Sequence, residues 1–342
     1  MAKWLEKSGP HSDIVVSSRV RMARNLRNFF FPTIRDPVTE EAVIEAVYQS
    51  IVSVNEGMKK DFTIKRIKEL TETERRQMVE KHLISPRLGE NLETGAMVYN
   101  EEESLIVMIN EEDHIRIQAL LPGLQLEGAL TNANRMDDVM EEQIDYAYDE
   151  GIGYLTSCPT NVGTGVRASV MLHLPALSMT GQAHEIMQFA NKIGLAVRGV
   201  YGEGSAFSGN FYQISNQVSL GVREEEIIET LREVTTQIIE RERNLRKSLL
   251  QEQPMEIEDQ VYRSLGILRN ARKISAEEAM RLLSGLQLGI SLGLVADLEL
   301  SKVHQLITMI QPGSLQEYYK RKLSHHQREV HRAALLREKL RG

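Results

Sequence analysis

The sequence predicts an α+β fold, an antiparallel sheet flanked by helices with a C-terminal helical bundle, on three observations. Short strand-like runs joined by short connections occupy roughly the first 220 of the 342 residues, and such connections favour antiparallel neighbours because parallel ones need a long crossover. From Arg223 onward, apolar residues recur at helical spacing almost to the end. Pro254 interrupts that helical stretch near its first third.

The elements follow in order. Ile14, Val15 and Val16 lead a strand through Ser17-Ser18-Arg19-Val20-Arg21, and residues 39–55 read as a helix. Thr71 and Glu74 form a capping box for a helix over about 72–82. Residues 96–100 and 104–110 flank three glutamates and read as a hairpin. A polar helix is expected over 128–148, a strand over 166–174 stopped by Pro175, and a helix over 180–193. Strands at 195–201 and 210–218 enclose a glycine-bearing loop. Helices over 223–251, 257–270, 275–287, 300–310 and 315–341 complete the chain. The expected division is a catalytic domain over 1–245 and a helical domain over 250–342.

Composition narrows the function. Apolar residues make up 42% and charged residues 26%, as in ordinary globular chains. A net charge of −7 argues against a general nucleic-acid binder and suits cationic substrates better. Cys158 has no second cysteine to pair with, which points to a reducing compartment. The N-terminus carries no apolar h-region and the chain no long uncharged apolar run, so the expected location is cytoplasmic. No P-loop, no protein-kinase signature set and no zinc-spaced cysteine or histidine cluster occurs, and no metal ligands are expected.

Five arginines stand in or beside strand-like runs: Arg19, Arg21, Arg116, Arg167 and Arg198. Each alone reads as a surface residue. Arg19 and Arg21 are two apart and leave one face of a strand. Arginine on a sheet face is costly unless it is paired or bound to an anion. Guanidinium forks converging on one point would suit a triphosphate and would stabilise a phosphoryl group in transfer.

Two carboxylates complement them. Glu112 lies in an acidic turn after an apolar strand, and Glu203 is flanked by Gly202 and Gly204. Either alone reads as an exposed acid. A protonated guanidinium is a poor nucleophile, and a carboxylate of pKa ~4 does not deprotonate it in the ground state. The carboxylate can orient the planar cation and accept its proton as an N–P bond forms. Cys158 precedes a glycine-rich loop and reads either as a buried small apolar residue or as a thiolate beside arginines.

Four motifs, SSRVR at 17–21, NEEDHIR at 110–116, CPTNVGTGVRASV at 158–170 and RGVYGEGS at 198–205, together resemble those of the phosphagen (guanidino) kinases, in that family's order. The resemblance implies the guanidino-kinase catalytic fold and an ATP site. Its contacts would be Ser17, Ser18, Arg19, Val20, Arg21, His82, Arg116, Arg167 and Arg198, with backbone at Ala168, Ser169, Val170, Met171, Gly199, Val200, Tyr201, Gly202 and Glu203. It implies Mg²⁺ riding on the nucleotide phosphates, Glu112 and Glu203 facing the guanidinium, and Cys158 beside them.

Only sixteen residues precede SSRVR, where small-metabolite members carry a helical N-terminal domain, and a helical region follows the catalytic part. Both departures resemble the branch that phosphorylates arginine side chains of proteins. That branch implies an allosteric phosphoarginine site at Arg328, Glu329, Arg332 and Ala333, with Glu in place of the usual Asp. It also implies a homodimer, a zinc-binding activator, hand-over to a Clp-type unfoldase and a stress-response role. Two rival readings are a kinase of a small free guanidino compound and a non-catalytic phosphoarginine-binding adaptor.

Overall fold

Alternating apolar residues make β1 (Val15–Arg24) the centre of the molecule. In the computed structural model, which describes residues 2–34, 36–53, 60–199 and 208–341, β1 pairs with β5 (Ile115–Pro122) on one side and β8 (Val166–His173) on the other. β2 (Phe62–Arg66), β3 (Ala96–Asn100), β4 (Leu105–Ile109), β9 (Leu195–Gly199) and β10 (Phe211–Asn216) extend the sheet to eight strands, ordered β2-β3-β4-β5-β1-β8-β10-β9. Among the described residues every pairing is antiparallel. β6 (Tyr148–Asp149) and β7 (Gly153–Tyr154) form a separate small hairpin.

Register divides the sheet into two unlike faces. Val20, Met22, Ile117, Ala119, Ala168, Val170 and Ile214 point into an apolar core. Helices α1 (Pro37–Val52), α4 (Leu126–Glu141), α6 (Ala183–Lys192) and α7 (Glu224–Glu252) contribute to it, as does the short α5 (Pro175–Met179). On the opposite face, Met97, Ile106, Met108, Leu120 and Phe211 share a second core with α2 (Glu72–Glu80), α3 (Pro86–Glu90) and the C-terminal helices. Those are α8 (Pro254–Asn270), α9 (Ala276–Ser291), α10 (Leu300–Met309), α11 (Pro312–Tyr318) and α12 (His325–Lys339).

Several expectations shift. Pro175 and Pro254 do not merely stop the preceding elements; each opens a helix at its first turn, where the missing N–H costs nothing. The helix expected over 315–341 is two helices. Lys320 adopts φ 51°, and Ser324 begins a fresh capping box with Gln327. The helix expected over 128–148 ends at Glu141. β2 and the central β5 are additional strands, and Val200–Glu203 lie outside the described residues.

Candidate active site

The arginines meet on the second sheet face because of register. Arg21 of β1 stands opposite Gln118 of β5 and Arg167 of β8. Arg19 stands opposite Leu120 and Ser169, Ala23 opposite Arg116, and Gln213 of β10 opposite Arg198 of β9. All five arginines therefore project from one face. Two like charges directly across a ladder, as at Arg21 and Arg167, are destabilising without an anion between them.

Contacts within the protein offset part of that repulsion. Arg19 donates to Ser169 Oγ at 3.3 Å and Gln213 Oε1 at 2.8 Å. Burial, then Arg116 and Arg167, push its pKa down to about 10. Arg21 is held well below the usual guanidinium range by burial and by Arg19, Arg116 and Arg167, against the pull of Glu111. Its buried Nε has no hydrogen-bond partner among the described residues.

The acidic turn is a built platform. Asn110, Glu111, Glu112, Asp113 and His114 link β4 to β5, with Asn110 at φ 57°. Asn25 clasps the turn, donating to Asp113 Oδ1 at 2.8 Å and accepting from His114 N at 2.8 Å. Ser157 N also donates to Asp113 Oδ1, at 2.6 Å, which brings the Cys158 loop alongside. Glu111 is buried; it accepts from Ser85 Oγ at 2.6 Å and lies 2.8 Å from Arg116 Nη1. Glu112, more exposed, accepts from Arg116 Nη2 at 3.1 Å and lies 3.8 Å from Arg87 Nη1.

Two adjoining cavities, about 210 Å³ and 200 Å³, share Arg21, Arg116 and Arg198. The first continues past His82, Val79, Ile84, Pro86 and Met108, a largely apolar wall suited to a nucleoside. The second continues to Glu112, Cys158, Thr160, Asn161 and Arg167. A molecule bridging them would lay its anionic part across the shared arginines. Ser17, Ser169 and Met171 line a small recess beyond Arg19.

His82 enters through a helix end. His82 N donates to Val79 O and Leu83 N to Met78 O, the paired bonds that close a helix through a left-handed residue. His82 takes that conformation at φ 60°, at a cost of about 1 kcal/mol for a residue with a Cβ. Its carbonyl accepts from Gln118 Nε2 at 2.8 Å. Burial, then Arg19 and Arg21, lower its pKa to about 3, so the ring is neutral.

The glycine-rich loop beside Cys158 depends on two glycines. Gly163 has φ 107°, and a Cβ there would stand 2.3 Å from Ser219 O; Gly165 has φ 70°, and a Cβ would meet Ala23 O at 2.6 Å. Arg24 anchors the same loop. It donates to Thr164 O, pairs with Asp137 at 2.5 Å, and lies over the Tyr154 ring at 3.5 Å. Cys158 Sγ lies 3.1 Å from Thr160 Oγ1.

Not every expected contact faces the cavities. The side chains of Ser18 and Val20 are buried on the opposite side, where Ser18 Oγ donates to Gly123 O and accepts from Gln125 N; those of Ala168 and Val170 also point there, which leaves the backbone contacts expected of these two residues open. Gly199 ends β9; Val200, Tyr201, Gly202 and Glu203 lie outside the described residues. Gln118, Gln213, Ser85 and Glu111 belong to the site and were not anticipated. Among the described residues, no three His, Cys, Asp or Glu side chains are grouped to hold a metal. On α12, Arg328 donates to Leu323 O at 3.1 Å. Arg332 is buried and donates to Ile310 O and Ile274 O, and Glu329 pairs with Lys273. No helix among the described residues is long and apolar enough to cross a membrane.

Residues 42–245 match the family model of the ATP:guanido phosphotransferase C-terminal catalytic domain, and residues 254–342 that of the protein-arginine kinase McsB C-terminal domain. The protein-arginine kinase of Bacillus pumilus is 49% identical over 341 residues, covering 100% of this chain and 94% of its own length. That of Caldanaerobacter subterraneus is 49% identical over 321 residues, covering 94% and 95%. Among solved structures, the duplicated taurocyamine kinase from Schistosoma mansoni, bound to transition-state analogue components, aligns with TM-score 0.62 and 26% identity, over 70% of this chain and 35% of that one. Lombricine kinase aligns with TM-score 0.62 over 71% of each chain at 23% identity, a likeness of fold. With the motifs, the sheet and both segments of the chain in agreement, the chain belongs to the ATP:guanido phosphotransferase family.

Proposed function

We propose that this chain transfers the γ-phosphoryl group of ATP to arginine side chains of proteins. The observation that carries this is the junction of the two cavities on Arg21, Arg116 and Arg198, with the wall of Val79, His82, Ile84, Pro86 and Met108 on one side and Glu112 on the other. The nucleoside would lie against His82 and Ile84, the phosphates across the arginines, and the acceptor guanidinium against Glu112. Curated relatives of nearly the same length carry the name protein-arginine kinase.

Arg21 and Arg167, adjacent and like-charged, would gain most from a phosphate between them, and Arg116 would link that phosphate to Glu112. Glu112, fixed by the Glu111–Arg116 pair, would orient the planar cation in line with the γ-phosphorus. As the N–P bond forms and the Pγ–O bond to ADP breaks, the nitrogen's proton passes to the carboxylate. Mg²⁺ riding on the phosphates would supply charge neutralisation there. Glu203 would be the second carboxylate, and Cys158 would touch the guanidinium edge.

The same reading takes 1–245 as the catalytic domain and 250–342 as the dimerising, phosphoarginine-sensing domain, at Arg328, Glu329, Arg332 and Ala333. It places the protein in the cytoplasm, partnered by a zinc-binding activator and a Clp-type unfoldase in a stress response. Solved relatives named for taurocyamine and lombricine favour a second reading, a small free guanidine as acceptor.

The test is mass spectrometry at neutral or basic pH after reaction with ATP and either a mixed protein substrate or free arginine. Phosphate on protein arginine is expected. Phosphate only on the free amino acid, or on serine or threonine, would reject the assignment. Glu112→Ala should lower turnover by about 10²–10⁴; unchanged turnover would identify a binding protein instead.

A further inference from the structure

The C-terminal helices line neither part of the nucleotide cavity, yet one of their backbone segments holds the turn that forms its wall. The His82 ring is aimed by where α2 stops, since His82 is the left-handed residue closing that helix. Glu80, the last residue of α2, ties this point to the rest of the molecule. Its buried carboxylate accepts from Gly313 N at 2.8 Å and Ser314 N at 2.6 Å, at the start of α11.

That segment is stiff. Its other end is held by Arg332 Nε, which donates to Ile310 O at 2.7 Å. Gly313 also leaves no slack: a Cβ there would stand 2.8 Å from Arg76 Cγ and from Gln77 N. Burial raises the Glu80 pKa while the two N–H groups oppose the shift, as expected of a carboxylate desolvated to make this contact.

We propose that Glu80 is a positioning residue for the nucleotide, through which the 310–314 segment of the helical C-terminal region sets the place of His82 and hence nucleotide affinity. This rests on reading the cavity as the ATP site. The Glu80 side chain is not part of the cavity lining and lies away from Glu112, so its effect would appear in binding and not in the chemical step.

Two full-length variants test it from opposite sides. Glu80→Gln keeps a carbonyl oxygen for one N–H and turns an amide toward the other. Gly313→Ala leaves the carboxylate intact and pushes α11 away from α2. ADP affinity by calorimetry, KM for ATP, kcat and thermal melting are compared with wild type. Both variants should melt cooperatively, lose about tenfold in ADP affinity, show KM for ATP raised about tenfold, and keep kcat at saturating ATP within about twofold. If Glu80→Gln does not fold, Gly313→Ala alone decides.

Wild-type ADP affinity in a folded variant, a loss confined to kcat, or failure of both variants to fold would each overturn the proposal. A wild type that binds ADP but phosphorylates no arginine would reject the acceptor assignment and leave the ADP comparison to judge Glu80. A wild type that binds no ADP would overturn both.

Discussion

Arg21 is built to be uncomfortable without a ligand. Its Nε is buried and unpartnered among the described residues, and the residue faces Arg167 across the ladder. Strain of this kind persists where a bound group relieves it. Arg21→Met should therefore separate stability from function. The ligand-free protein should gain about 1–2 kcal/mol, since replacing a buried charge by a packed apolar side chain is often stabilising. ADP affinity should fall by ~10- to 100-fold with the loss of charge-assisted bonds. Melting curves and calorimetry on the same sample read both. Much of this cage was visible in the sequence, because Arg19 and Arg21 alternate on a strand and the other arginines sit in strand-like runs. Gln118 and Gln213 were not, because their membership depends on which strands pair; Glu111 lies in the acidic turn that the sequence singles out, but its pairing with Arg116 shows only in the structure. His82 is recognisable by family resemblance alone: locally it is an ordinary histidine at a helix end, and only its φ of 60° turns it into the cavity.

Helix ends and close approaches govern the elements. Most helices and the 96–110 hairpin were legible from caps and periodicity, whereas the break between α11 and α12 was not. No proline or glycine marks it; Lys320 adopts a left-handed conformation with a full side chain. The α8–α9 pair shows why small residues matter in a helix. A Cβ on Gly289 would stand 2.3 Å from Val261 Cγ1, and one on Gly285 2.5 Å from Ser264 Oγ. Val261 is buried and β-branched, so it cannot swing aside. Gly289→Ala should destabilise the protein by about 1–3 kcal/mol despite the better helix propensity of alanine. A denaturant titration checks this; an unchanged or raised midpoint would mean the helices can part without cost.

For the whole molecule, three histidines are buried far below their usual protonation range. His82 is lowered to about 3 and His304 to about 4, chiefly by burial, and His173 well below its ordinary value for the same reason. Their folded-state pKa values lie below the unfolded value of 6.5, so between these limits the unfolded chain binds more protons. Stability is complete above pH 6.5 and declines as pH falls. Near pH 5 the slope approaches about 4 kcal/mol per pH unit for three protons. Denaturant midpoints measured from pH 7.5 to 5 should show this fall, and a flat profile would mean these rings protonate in place.

The central position of β1 shapes how the chain is made. One of its two ladder partners, β8, ends 149 residues after it, at His173. At elongation rates of ~5–20 residues per second, the nascent strand waits roughly 7–30 s with at least one edge open. Chains arrested before β8 should therefore be protease-sensitive and bound by chaperones, and resistance should appear only once the second ladder can close.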